Sequence, residues 1–139
     1  MSPPPDLERF VDAQGPVYDT VLRELRAGRK RSHWMWFIFP QIAGLGHSAV
    51  SQRFALSSLG DAAAYLAHPV LGPRLRECAS IVAGITGRSA GEIFGDPDDR
   101  KFRSSMTLFA RAAPDEPIFA ECLRLHFRGE EDPETLARL

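Results

Sequence analysis

Leu71, Leu75, Cys78, Val82 and Ile85 recur at spacings of 4, 3, 4 and 3. Alternating steps of three and four return to one stripe of a helix with 3.6 residues per turn, so the spacing predicts a long amphipathic helix from Pro69 to about Ile85. Such a helix must bury its stripe against other elements. In the rest of the chain no two segments read as partner strands. The expected fold is therefore all-α: a compact single domain of six to eight helices over residues 6–139, preceded by a disordered Pro-rich tail, residues 1–5. A length of 139 residues, with 44% apolar and 25% charged side chains, suits one hydrophobic core and leaves little room for a second domain.

Local signals divide the remainder. Leu7, Phe10 and Val11 share one face of a helix expected over 6–14, broken by Gly15-Pro16. Val17, Val21, Leu22 and Leu25 form the stripe of the next, about 16–28, with Arg23, Glu24 and Arg26 opposite and Gly28 as its cap. Further helices or turns are expected near 48–56, over 61–67, over 89–94, over 117–127 and after Asp132-Pro133. Asp96-Pro97-Asp98-Asp99 carries a helix-start signature. Asp96 is read as its cap, and the three acids Asp96, Asp98 and Asp99 as a helix start in preference to a Mg²⁺ site, with Phe102, Met106 and Phe109 on the buried face that follows. The six-residue apolar run Trp34 to Phe39, unexceeded in the chain, reads as a short buried helix ending before Pro40. Trp34 and Trp36 lie ~200° apart on such a helix, so one of them is expected to line a surface groove.

Composition excludes several classes. Seventeen Lys+Arg against eighteen Asp+Glu give a net charge of −1, so no specific nucleic-acid binding is expected. Six apolar residues fall far short of the ~20 needed to span a bilayer, and no membrane association is expected. Residues 1–15 lack the apolar segment of a secretory leader, so a cytoplasmic location is expected. Cys78 and Cys122 sit among apolar neighbours and read as free core thiols. The four histidines show no metal-ligand spacing, and no phosphate-binding glycine loop or nucleophile elbow is present. Neither a metal nor a cofactor is expected.

Two segments carry more polar chemistry than packing needs. The first runs through Arg23, Arg26, Arg29, Lys30 and Arg31 into His33, Trp34 and Trp36. Cations beside indoles can receive a phosphate and stack a ring; equally, they form a solvated helix end followed by core tryptophans. In the second, Lys101, Ser104, Ser105 and Leu108 fall at i, i+3, i+4 and i+7, as either a pocket wall or a set of satisfied interhelical hydrogen bonds. The only two lysines of the chain lie one in each segment.

These segments, Gly28-Arg-Lys-Arg-Ser-His-Trp-Met-Trp-Phe-Ile-Phe-Pro-Gln and Asp99-Arg-Lys-Phe-Arg-Ser-Ser-Met-Thr-Leu-Phe, together with Gly44-Leu-Gly, Tyr65-Leu-Ala-His-Pro and Ile93-Phe-Gly, closely resemble the domain of unknown function 1810 family. The resemblance runs in order over about 6–128. It implies a compact bacterial α-helical domain and brings no established activity.

Two functions stay open. One is binding, or hydrolysis, of a phosphate-bearing, nucleotide-like small molecule. Lys30, Arg31 and Lys101 would meet the anion, Trp34 or Trp36 would stack the ring, Ser104 and Ser105 would be further ligand-binding residues, and His33 would move a proton. The other is a non-catalytic protein-interaction module or homodimerisation face. Convergence of 30–36 and 101–105 on a concave surface separates them, and Lys30 or His33 is expected near the Lys101–Ser105 face.

Overall fold

The structure, a computed structural model, describes residues 6–139; the expected disordered tail lies outside them. Ten helices follow in chain order: α1 (Glu8–Gln14), α2 (Tyr18–Arg26), α3 (Met35–Ile38), α4 (Ala49–Arg53), α5 (Leu59–Ala67), α6 (Leu71–Ala83), α7 (Ala90–Phe94), α8 (Asp98–Ala112), α9 (Pro117–Phe127) and α10 (Pro133–Leu136). Six have seven residues or more. The others are single turns that hold connections against the bundle. The one piece of β pairing among the described residues is an isolated parallel bridge between Ile42 and Leu56.

The stripe of 4-3-4-3 spacing becomes the core face of α6: Leu71, Leu75, Cys78 and Val82 are all buried. The helix is shorter than its periodicity. It begins at Leu71 because His68 Nδ1 accepts the Val70 and Leu71 N–H groups, and it ends at Gly84, leaving Ile85 half-buried beyond it. Burial pushes the thiols of Cys78 and Cys122 up to about 12, so both remain protonated.

Helix α8 is the axis of the domain, packed against α3, α5, α7, α9 and α10. Its residues from Ser104 to Phe109 are buried without interruption, and Phe102 stacks on Phe94 with ring centroids 4.7 Å apart. Hydroxyls on α8 then fasten the C-terminal segment. Thr107 Oγ1 accepts the Asp132 N–H at 2.9 Å, while Arg103 donates to the Glu130 and Glu131 carbonyls. Asp132 caps α10 through its side chain, accepting the Thr135 N–H.

The start of α8 corrects one expectation. Asp96 does not cap it: its carboxylate is exposed and pairs instead with Arg100 at 3.1 Å. Backbone supplies the partner, since the Asp99 N–H donates to the Gly95 carbonyl at 2.8 Å. No side-chain cap is then needed there.

Candidate functional site

Glu24 is on α2, seven residues after Val17 and therefore at the border of the apolar stripe, not opposite it; a carboxylate at such a border ordinarily reaches solvent. It is nevertheless buried, because the chain beyond α2 folds back over it with a ring of donors. Its Oε1 accepts from the N–H groups of Arg31 and Ser32 at 2.7 and 2.9 Å and from the Trp34 indole at 2.9 Å; its Oε2 accepts the Ser32 hydroxyl at 2.6 Å. Burial opposes the charge, but the Ser32 hydroxyl, the two backbone N–H groups and the indole outweigh it and hold the carboxyl down at about 2. Residues 31–34 are thereby set in place, and Trp34 is 1% exposed.

The same segment is tied to α7 by the Lys30 N–H, which donates to the Ile93 carbonyl at 2.7 Å. The Lys30 side chain is 7% exposed; its Nζ lies 5.2 Å from the Trp34 ring centroid and 2.8 Å from Asp98 Oδ2. The other oxygen of Asp98 faces Lys101 Nζ at 3.4 Å, and that ammonium lies 5.1 Å from the Trp36 ring centroid. Two Lys–Trp pairs thus share one carboxylate. The expectation that Lys30 approaches the Lys101–Ser105 face is met through Asp98, a residue that the sequence reading treated only as part of a helix start.

Beyond Lys101 the surface opens into a groove of two adjoining cavities. In the larger, about 270 Å³, Arg100, Lys101 and Ser104 of α8 share the lining with Gln41, Gly46 and Ser51, and with Asp132 and Glu134 at the start of α10. The smaller, about 110 Å³, is lined by Trp36, Ile42 and Phe54, and again by Gln41, Gly46 and Ser51. The glycines shape the wall. A Cβ on Gly46 would stand 2.5 Å from that of Ser51, so only glycine lets the loop close onto α4. Gly44 has φ +98°, and its carbonyl receives Arg138 Nη2 at 3.2 Å.

The residues singled out in the sequence separate accordingly. Trp36, Lys101 and Ser104 line the groove. Lys30 stands one step behind it, on Asp98. Trp34 belongs to the core, where its indole serves Glu24. Ser105 is also core: one step of ~100° from Ser104 turns it inward, where its hydroxyl is buried without a hydrogen-bond partner among the described residues. Arg31 and His33 are exposed and line neither cavity. Gln41, Ser51, Arg100 and Asp132 line the groove without having been candidate site residues in the sequence, Asp132 having marked only a helix start. Arg100, beside Lys101, and Asp132, before Pro133, had local signals; Gln41 and Ser51 had none. No cluster of three or more His, Cys, Asp or Glu side chains suited to a metal ion occurs among the described residues.

No curated protein matches the chain. Among solved structures it is similar to the conserved hypothetical protein Rv1873 from Mycobacterium tuberculosis, at 57% sequence identity and a TM-score of 0.95, with 96% of each chain covered. A family model described as a protein of unknown function (DUF1810) matches residues 4–139, and the chain belongs to that family.

Proposed function

We propose that the groove binds a small phosphate-bearing, nucleotide-like molecule. The observation that carries this reading is the position of Lys101, at once against the Trp36 ring and on the lining of an open cleft. An ammonium has three N–H donors, and a single 3.4 Å contact to Asp98 leaves Lys101 donors for an incoming anion, with Arg100 beside it. Trp36 and Phe54 offer the adjoining cavity apolar walls suited to a planar group. Trp36 of the first segment and Lys101 and Ser104 of the second line one concave groove, which supports ligand binding over a protein-interaction or homodimerisation face, for which a flat apolar patch would speak. Binding is also better supported than hydrolysis, because His33 lines neither cavity.

Thermal-shift and calorimetric titration with inorganic phosphate and a nucleoside monophosphate test the reading. A ligand at a hundred times its dissociation constant adds about 2.7 kcal/mol of stability. That gain is expected in the native protein and absent from Lys101→Ala, whose unliganded melting temperature stays close to native. No stabilisation by either compound at millimolar concentration would overturn it.

A further inference from the structure

The cations of the groove have acids for company. Asp132 Oδ2 is engaged by the Ser104 hydroxyl at 3.1 Å, the Thr135 N–H at 2.9 Å and the Thr135 hydroxyl at 2.7 Å. Its Oδ1 has no hydrogen-bond partner among the described residues and is not sealed from solvent, while the residue lines the larger cavity. Ser104 bridges the two ends of that cavity: its hydroxyl donates to the Arg100 carbonyl or to Asp132, both at 3.1 Å. Asp132 therefore sits about one helical turn along α8 from the Arg100–Lys101 pair. Glu134, exposed and paired with Arg138 at 3.2 Å, adds a second carboxylate to the same lining.

A bare phosphate held by Arg100 and Lys101 would face, one turn away, a carboxylate that no cation pairs with among the described residues and whose Oδ1 is still unengaged. A ligand that places hydroxyl groups between the two satisfies both, because a carboxylate oxygen accepts where an ammonium donates. Resting on the anion-binding reading above, we infer that the ligand is a phosphorylated sugar or polyol whose free hydroxyls donate to Asp132 Oδ1. On this geometry Asp132 is a specificity-determining residue: it selects against phosphomonoesters that lack the hydroxyls.

Calorimetry with ribose 5-phosphate and with cyclopentylmethyl phosphate, which keeps a five-membered ring and the phosphate but lacks the hydroxyls, tests this directly. Ribose 5-phosphate is expected to bind about tenfold tighter, the scale of one or two hydrogen bonds to a partly exposed charge. Asp132→Asn, which keeps the α10 cap, should shrink that preference to threefold or less without weakening cyclopentylmethyl phosphate. Equal affinities in the native protein would overturn the inference and leave anion binding intact. Failure of both compounds to bind would overturn the anion-binding reading and this inference with it. Should Asp132→Asn not fold, the pair of ligands on the native protein decides.

Discussion

Lys30 over Trp34 and Lys101 over Trp36 are the same chemical pair, built twice on one carboxylate. Their surroundings differ. The first pair is sealed: Lys30 is 7% exposed, and Trp34 spends its indole N–H on Glu24. The second faces outward: Lys101 is 25% exposed and Trp36 lines a cavity. A buried cation with a short ion pair is committed to the fold, because removing its partner would leave a desolvated charge. A partly exposed cation with a longer contact can exchange that contact for another at little cost. Residue type therefore does not assign a role in this domain; burial does.

The widest separation is expected between the tryptophans. Trp34→Ala should cost about 3–5 kcal/mol in chemical denaturation, since it empties a core volume and removes a donor from Glu24. Trp36→Ala should cost no more than about 1–2 kcal/mol for a half-buried ring. Equal costs would erase the distinction between the two pairs. The lysines should follow in the same order: Lys30→Met at about 2 kcal/mol, against about 0.2–1 kcal/mol for Lys101→Met.

Acid sharpens the contrast, because the sealed pair hangs on Glu24. The carboxyl is held at about 2, below its ordinary 4.5, so its stabilisation is complete above about pH 4.5 and is lost as the pH falls towards 2. The stability gap between the native protein and Glu24→Gln should accordingly narrow over that window; a gap independent of pH would show that the donors around Glu24 do not favour its charge. The smallest effect belongs to Asp96. Its pair with Arg100 is solvent-exposed on both sides, so Asp96→Ala should cost only a few tenths of a kcal/mol, against the ~1 kcal/mol of a lost cap.

Periodicity and end signals were enough to place α6, α8 and α9 and to name Leu75, Cys78, Val82, Phe102, Met106 and Phe109 as core, all of which are 0–1% exposed. These features depend on residues within a few positions of one another: a stripe needs only its spacing, and a helix start such as Pro117 needs only its own turn. The opposed tryptophans were legible for the same reason, as a ~200° step on a short helix. Which tryptophan faces inward was not, because that depends on Glu24, a residue of another helix. The roles of Asp98 between two lysines, of Gln41 and Ser51 across from α8, and of Asp132 one turn from Lys101 were set only when distant segments met. A charged or polar side chain is buried or exposed according to the partners that tertiary packing brings to it, and those partners leave no period in the sequence.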